Sequence, residues 1–300
     1  MHGIWKMKNK KTMANIRTES DLNRIVQETV KSVINQFLTE EFGIDYDKEE
    51  KTVSFNPSHQ DAVDTNDPWK PYPIYNEVDG YKVISIFERK ITDDRKDGNP
   101  LIYALKGKYD WVFKNPRYDY FALLRRFVAV CKELTEEYDV IITTPSSNSL
   151  NLEILHKIIR LIPHKVHFEH FFCKFLAQDV YERTMDSNLI QKTFSNDETI
   201  AKKAIKDFEN AIDNMNIEND GVFSYKFLPT YLRTILSNSM SVSQEILNDE
   251  KINELVNDKK VLIIDDTVTS GKTISDSAEA LKDVFAPKDI TFLTLFSPLK

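Results

Sequence analysis

Two adjacent carboxylates and a run of hydroxyl groups around one glycine form the part of this sequence best suited to hold a ligand. Asp265 and Asp266 directly follow four apolar residues, 261–264, and residues 267–273 then supply hydroxyls and a glycine. Adjacent carboxylates can accept hydrogen bonds from a vicinal diol, such as the two ribose hydroxyls, or act through a bound Mg²⁺. They would repel a phosphate, whereas hydroxyls and backbone N–H groups would bind it. The spacing therefore predicts a site for a ribose 5-phosphate.

A strand, a loop and a helix amino terminus would position these groups. Residues 261–264 are all apolar, which is typical of a strand covered on both faces of a parallel sheet. Apolar residues in 274–285 recur at helical spacing. In open α/β sheets ligands bind outside the carboxyl ends of the strands, and a helix amino terminus attracts anions. We therefore expect an α/β fold with the site where this strand ends, at residue 264.

The triplet Gly271-Lys272-Thr273 also resembles the end of a Walker A phosphate loop. That loop requires a glycine five positions earlier, where this chain has Asp266. The apolar run ending in two acids could instead be a Walker B strand, but no other glycine precedes a Lys-Thr or Lys-Ser pair at the required spacing. A nucleotide triphosphatase is therefore disfavoured.

Residues 261–273 resemble the phosphoribosyl pyrophosphate (PRPP) motif of type I phosphoribosyltransferases: four apolar positions, two acids, a variable triplet, then Ser/Thr-Gly-x-Thr. The resemblance implies a central, mostly parallel sheet flanked by helices. It implies that Asp265 and Asp266 hold the ribose hydroxyls, and Mg²⁺ indirectly through those hydroxyls or water. The residues implied to bind the 5-phosphate are Thr267, Thr269, Ser270, Gly271, Lys272 and Thr273. In the implied reaction, Mg²⁺-bound pyrophosphate leaves C1 of the ribose and a base nitrogen or an amine takes its place.

The identity of residue 269 limits which acceptors the resemblance implies. Hypoxanthine-guanine members of the family carry an aspartate at this position, placed to interact with the purine ring, and a threonine cannot supply that charge. The sequence Val-Thr-Ser-Gly at 268–271 is more similar to that of orotate-type enzymes and of the ComF branch of the family. Purine salvage is therefore less favoured.

A second strand and loop precede the motif. Residues 140–142 are apolar, 144–148 are turn formers and hydroxyl residues, and 152–162 have helical spacing. Viewed alone this is an ordinary strand-to-helix loop, but its position before the PRPP motif favours a pyrophosphate site at Thr144, Pro145, Ser146, Ser147 and Asn148. The loop carries no Lys or Arg. Pyrophosphate would therefore require neutral donors, Mg²⁺ and a basic residue from elsewhere in the chain.

The order of elements is similar to that of the ComF branch. A lysine-bearing helix at 100–107 and a second helix at 120–130 precede the first loop, and one further strand at 290–296 follows the motif. ComF-type chains commonly begin with a cysteine-rich zinc ribbon. This chain has only Cys131 and Cys173, too few for such a site.

A long insertion, about 168–258, lies where the family has its flexible active-site flap, and it is also a candidate for the acceptor-binding hood. Five of its cations could close over pyrophosphate and neutralise its charge: Lys174, Arg183, Lys192, Lys226 and Arg233. Each of them alone is more simply a solvated surface cation. Arg233 is the best placed, because it precedes a segment similar to the one before the final motif in ComF-like chains, and we expect it to be catalytic.

The chain is expected to divide into two parts. Residues 1–76 would be an N-terminal helical and β extension, with a helix at 20–38 and an irregular, proline-containing connection at 46–75. Residues 77–300 would be the phosphoribosyltransferase-like domain, beginning with a strand at 81–89.

The amino-acid composition disfavours some classes of protein. A net charge of −7 disfavours a dedicated nucleic-acid binder. No apolar stretch approaches the roughly 20 residues needed to span a bilayer. Two cysteines suit a reducing cytoplasm, so we expect a cytoplasmic protein without a membrane partner.

The leading hypothesis is a Mg²⁺-dependent phosphoribosyltransferase whose partners are PRPP and a small-molecule acceptor, with a homodimer as a candidate assembly. The uncharged first loop motivates an alternative, a non-catalytic module that binds PRPP or a nucleotide for regulation. A ComF-like accessory factor in DNA handling is a third hypothesis.

Overall fold

A computed structural model describes residues 43–56, 59, 62–64, 73–90, 99–134, 137–146, 149–161, 165–236, 238–268 and 271–299. The helix predicted at 20–38 lies outside these residues. The elements of the first half are β1 (Gly43–Asp47), β2 (Thr52–Asn56), β3 (Val63–Asp64), β4 (Ile74–Val78), β5 (Tyr81–Arg89), α1 (Asn99–Leu105), β6 (Val112–Phe113), α2 (Pro116–Leu134), β7 (Val140–Thr143), α3 (Leu150–Leu161) and β8 (Val166–Phe168).

The second half contributes β9 (Phe172–Lys174), α4 (Ala177–Asp186), α5 (Leu189–Thr193), α6 (Glu198–Glu218), a 3₁₀ turn (Tyr225–Phe227), α7 (Thr230–Arg233), β10 (Met240–Val242), α8 (Gln244–Leu247), α9 (Lys251–Val256), β11 (Lys260–Thr267), α10 (Lys272–Lys282) and β12 (Asp289–Leu299). Among the described residues, no helix combines the length and apolar character needed to cross a bilayer.

The central sheet has the strand order β3-β5-β12-β11-β7-β8, and β4 also pairs with β5. Strands β5, β12, β11, β7 and β8 run parallel, whereas β3 and β4 are antiparallel to β5. The predicted α/β class is confirmed, as are the strands predicted at 81–89, 140–142 and 290–296 and the helices predicted after both loops.

Helices cover both faces of the sheet, which explains why β11 is apolar at consecutive positions. Leu262 and Ile264 pack with residues of α1, α2 and α3 on one face. Val261 and Ile263 pack with residues of α9 and α10 on the other face. All four side chains are fully buried, and each stabilises the fold by roughly 2 kcal/mol.

The chain leaves β7 and β11 in opposite directions. From β7 it passes through α3 to β8, and from β11 it passes through α10 to β12, on the other side of the sheet order. Because α3 and α10 also lie on opposite faces, a crevice forms between the carboxyl ends of β7 and β11. Such a switch point is where open α/β sheets bind ligands.

Helices α4 to α7 form a unit with its own core, within the predicted insertion. Phe208 and Met215 of α6 are fully buried in this core. The carboxylate of Asp197 caps α6 by accepting hydrogen bonds from the N–H groups of Thr199 and Ile200. The antiparallel pair β9 and β10 connects the unit to the sheet, with Lys174 opposite Met240.

The irregular connection predicted at 46–75 is wrong for the described residues. Strands β1 and β2 pair with each other and β2 pairs with β6, while β3 and β4 join the central sheet. The predicted boundary after residue 76 falls inside β4. Val53 and Phe55 alternate with half-buried residues in β2, so an alternation was present, but its shortness and the nearby prolines obscured it.

Candidate functional site

A cavity of about 430 Å³ opens at the crevice between β7 and β11. The two predicted loops both reach it, together with the end of α1 and the helical insertion. From the predicted site residues the cavity lining includes Pro145, Ser146, Asp265, Asp266, Thr267 and Thr273. The tertiary structure therefore brings the two sequence segments together.

Asp265 is held from behind by neutral donors. Its Oδ1 accepts hydrogen bonds from Thr144 Oγ1 (2.8 Å), Asn151 Nδ2 (3.3 Å) and the N–H of Asp266 (3.0 Å). Burial, and to a smaller extent the neighbouring charge of Asp266, together raise the pKa of Asp265 to about 6, although its hydrogen bonds oppose the rise. Strand β11 also continues through both acids to Thr267, so the expectation that it ends at residue 264 is wrong.

Asp266 has a cationic partner. The ammonium group of Lys106 lies 2.7 Å from its Oδ2, and the two side chains are only 15% and 11% exposed. A salt bridge shielded to this degree is much less screened than a surface pair. The ion pair therefore connects the turn after α1 to the carboxyl end of β11.

Helix α1 ends in a turn that presents lysines to the cavity. Gly107 has a φ of 59°, a left-handed conformation that glycine adopts without steric cost. Its N–H donates to Ala104 O (3.3 Å), and the N–H of Lys108 donates to Tyr103 O (2.9 Å), as in a Schellman motif. Lys106 and Lys108 both line the cavity. The sequence contains the signal, a helix-ending glycine flanked by lysines, but sequence reasoning gave these lysines no role.

Residues 267–273 are the predicted phosphate loop, and the described end of this loop meets a β-hairpin. Gly271 caps α10 with a φ of 78°, and a Cβ atom placed there would lie 2.4 Å from Cγ1 of Val78 in β4. Ser275 Oγ of α10 donates to Asp79 Oδ2 (2.9 Å) at the tip of the same hairpin. The close approach that requires glycine here is therefore an approach to the hairpin.

The remaining predicted phosphate ligands divide into three groups. Thr267 and Thr273 line the cavity, and within the described chain the buried Oγ1 of Thr267 has no hydrogen-bond partner. Lys272 begins α10 but is not part of the lining. Thr269 and Ser270 lie outside the described residues. Thr267 Oγ1 is thus a group that a ligand would satisfy.

The predicted pyrophosphate loop also divides. Pro145 and Ser146 line the cavity. Thr144 is buried, and its hydroxyl is committed to Asp265, so it positions that carboxylate. Ser147 and Asn148 lie outside the described residues.

Three of the five candidate cations from the insertion reach the cavity. Lys174, Lys226 and Arg233 line it, whereas Arg183 and Lys192 do not. Arg233 donates to the backbone carbonyls of Leu228 (2.9 Å) and Lys226 (3.3 Å). Arg183 instead stacks on an aromatic ring of the insertion, 3.8 Å from its centroid.

A buried arginine adds to the cationic side chains that line the cavity. Arg89, at the end of β5, is 4% exposed and was not foreseen from the sequence. Its guanidinium donates to the carbonyls of Ser297 and Val268 (both 2.9 Å) and to Asn99 Oδ1 (3.2 Å). Arg89 therefore joins β5, β12, the start of the phosphate loop and α1 around the cavity.

The cavity is strongly cationic. Within the described lining, two carboxylates stand against six cationic side chains: Arg89, Lys106, Lys108, Lys174, Lys226 and Arg233. Burial lowers the pKa of Lys174, and the charges of Asp265 and Asp266 partly oppose this. Burial also lowers the pKa of Lys108, and the charges of Lys106 and Lys226 lower it further. A ligand with several negative charges would relieve this repulsion.

The arrangement fits a magnesium ion that arrives with a phosphate ligand. Mg²⁺ is usually bound by one or two carboxylates together with substrate phosphates and water. Asp265 and Asp266 supply carboxylate oxygens in the same cavity as the cations. Because Lys106 already pairs with Oδ2 of Asp266, contact from that oxygen would be indirect, through water or a ribose hydroxyl.

A comparison of the chain with models of protein families finds no match, and a comparison with curated protein sequences finds none either. The function is therefore inferred from the residues and their geometry. Function resides in the groups that contact a ligand, so the cavity and its lining carry the argument.

Proposed function

We propose that this protein is a type I phosphoribosyltransferase that binds PRPP and transfers its phosphoribosyl group to a small-molecule acceptor. One observation carries the proposal. A single cavity at the switch point of the parallel sheet combines adjacent aspartates, the amino terminus of α10 and six cations. A diol, a phosphate and a pyrophosphate in one molecule match these three features.

Each part of the cavity has a role in this proposal. Asp266 accepts hydrogen bonds from the ribose hydroxyls, and Thr144 and Asn151 hold Asp265 beside it. The amino terminus of α10, with Thr273, binds the 5-phosphate. Mg²⁺, when bound, would neutralise charge on the pyrophosphate.

The cations of the insertion assist the leaving group. The bond from C1 to the pyrophosphate oxygen breaks, its electron pair leaves with pyrophosphate, and the acceptor's lone pair forms the new bond to C1. Lys174, Lys226 and Arg233 line the cavity and would stabilise the charge that develops on the pyrophosphate. The loop after β7 has no basic residue of its own. In this proposal, basic residues from other elements bind the pyrophosphate in its place.

The binding step tests the proposal. Calorimetric titration of PRPP with Mg²⁺ should give saturable binding, and Asp266→Asn should weaken it by about tenfold or more, since hydrogen bonds to a charged group are worth about 1.5–3 kcal/mol. Asp283→Asn removes an exposed carboxylate outside the cavity and should leave binding unchanged.

Pyrophosphate release, with a panel of bases and amines, separates an enzyme from a binding module. Thermal unfolding of both variants excludes misfolding as the cause of any loss. Equal affinity of the wild type and Asp266→Asn for PRPP would refute the assignment of the site. Saturable PRPP binding without release with any acceptor would instead favour the non-catalytic alternative.

A further inference from the structure

One wall of the cavity contains two tyrosines that have no role in binding the phosphoribosyl group in the proposed function. The rings of Tyr103 and Tyr109 meet edge to face, with centroids 5.0 Å apart, and both line the cavity. Tyr109 is 66% exposed, the second largest exposure among the large apolar and aromatic residues of the described chain. Aromatic faces in a concave site are suited to stack on planar ligands.

The turn that carries Tyr109 has an uncommon backbone conformation. Tyr109 and Asp110 both have left-handed backbone conformations, with φ of 57° and 62°. This conformation is costly for residues other than glycine and persists where surrounding contacts fix it. The ammonium group of Lys51 lies 3.2 Å from the carboxylate of Asp110, and Trp111 N–H donates to Lys108 O (3.1 Å). With this backbone conformation the side chain of Tyr109 lies in the lining of the cavity.

The same wall is positively charged. Lys106 and Lys108 lie between the two tyrosines in sequence, on the turn that ends α1, and Lys226 faces them from the insertion. Lys106 is engaged by Asp266, but no described residue of the cavity lining supplies a further carboxylate for Lys108 or Lys226. A cationic acceptor would be repelled here, and an acidic one would be attracted.

We propose that this wall is the acceptor subsite and that the acceptor is a planar aromatic ring carrying an acid group, stacked on Tyr109 with the acid group on Lys108. The inference rests on the proposed function, because an acceptor subsite presupposes phosphoribosyl transfer. A ring nitrogen supplies the lone pair that forms the bond to C1 while pyrophosphate leaves with the electrons of the old bond. Any proton on that nitrogen passes to solvent.

Two pairs of probes test the acid group. Nicotinate and benzoate are compared with their neutral amides, nicotinamide and benzamide, by ligand-observed NMR titration of the full chain with PRPP and Mg²⁺ present. The acids are expected to bind about tenfold more tightly than the amides, since a charge-assisted hydrogen bond is lost in each amide. Equal affinity of acids and amides, or no binding of any acid, would overturn the inference.

Matched variants test the wall itself. Lys108→Met and Tyr109→Leu are each expected to weaken binding of the acids by about tenfold. Lys202→Met, on the exposed surface of α6, and Tyr75→Leu, an exposed tyrosine outside the cavity, are the controls and should bind as the wild type does. Loss of pyrophosphate binding but not of acid binding in Lys108→Met would assign Lys108 to the leaving group and overturn the subsite.

Failure of this inference can be told apart from failure of the proposed function. PRPP binding without acid binding would refute the aromatic-acid subsite alone. Absence of PRPP binding to the wild type, measured separately by calorimetry, would refute phosphoribosyl transfer itself.

Discussion

Asp265 and Asp266 are neighbours in β11 but occupy different electrostatic environments. Consecutive residues of a strand point to opposite sides, so the two carboxylates meet different partners. Asp265 meets neutral donors from Thr144 and Asn151, and Asp266 meets the ammonium group of Lys106. Asp266 is therefore the carboxylate paired with a cation, while Asp265 is held in place by neutral donors.

Asp265 should make stability depend on pH. Burial raises its pKa to about 6 from 3.8, so the folded state binds this proton more tightly than the unfolded state. Its contribution to the free energy of unfolding is then most favourable below about pH 4, falls as the pH rises to about 6, and is constant above that. Asp265→Asn should be more stable than the wild type near pH 7.5 by about 1–3 kcal/mol, and this advantage should shrink toward pH 4.

Urea denaturation at the two pH values measures this effect. Asparagine retains an oxygen that can accept from Thr144, so packing should be preserved. Asp283→Asn, at an exposed position, should show no such pH-dependent advantage. An Asp265→Asn protein that is equally destabilised at both pH values would contradict the cause assigned to the pKa shift.

At the scale of elements, α10 is the helix on which separate parts of the chain converge. Its first residues belong to the PRPP-like motif, and its amino terminus packs against the β4–β5 hairpin. One turn later, the buried carboxylate of Asp276 accepts hydrogen bonds from Tyr225 Oη (2.7 Å), from the N–H of Ser239 (2.9 Å) and from the hydroxyl of Ser239. The insertion that carries Lys226 and Arg233 is thus attached directly to the helix of the phosphate loop.

Gly271→Ala should destabilise the protein through contact as well as backbone strain. The added methyl group would overlap Val78, and the left-handed φ of 78° adds its own cost. Gly80→Ala is a matched control, because its φ is 80° and nothing lies within 4 Å of its added Cβ. We expect Gly271→Ala to lose about 1–3 kcal/mol more than Gly80→Ala in urea denaturation, the usual cost of overpacking. Equal losses would show that the hairpin moves freely away from Gly271.

Tyr225→Phe should loosen the insertion without unfolding the sheet. It removes one donor to Asp276, a bond to a charged acceptor worth about 1.5–3 kcal/mol. Hydrogen–deuterium exchange should therefore accelerate in residues 222–239 and remain slow in β7, β11 and β12. Tyr231→Phe is the matched control, since Tyr231 makes an exposed bond to Asp207 within the insertion. Equal acceleration in both variants would mean that Asp276 does not fasten the insertion.

Across the whole molecule, the charge of the cavity is opposite in sign to the net charge of the chain. The chain carries a net charge of −7, yet the described cavity lining holds six cations and two carboxylates. Cations focused in a cleft raise the local concentration of an anionic ligand and speed its association. Such an arrangement favours a ligand that is itself highly charged.

PRPP binding should accordingly weaken with ionic strength. Between about 0.05 M and 0.5 M NaCl we expect the dissociation constant for PRPP to rise by about tenfold, because the Debye length shortens from roughly 14 Å to about 4 Å. Calorimetric titrations across this range measure the change, and unfolding experiments at the same salt concentrations check that the fold is intact. A dissociation constant that does not change with salt would mean that the cations of the cavity do not contact the ligand.

Elements with a strong local signal could be predicted from the amino-acid sequence. Residues 261–264 indicated β11 because a buried parallel strand must be apolar on both faces, and 274–285 indicated α10 through helical spacing. The adjacent aspartates, the glycine and the hydroxyls are also a local signal, and they predict a ligand-binding loop. Short strands such as β3 were not recognised, since two residues carry too little alternation to distinguish them from a loop.

The distant residues that line the cavity beside the aspartates come together only in the folded chain. Lys106 reaches Asp266 because α1 ends at a left-handed glycine above the carboxyl end of β11, and no local pattern in either segment specifies that contact. The same holds for Arg89 and for the cations of the insertion, since charged residues on turns are ordinary surface features until the fold turns them inward. The sequence thus predicted a ligand-binding loop after β11, and packing of the sheet, α1 and the insertion determines the charge and shape of the cavity beside it.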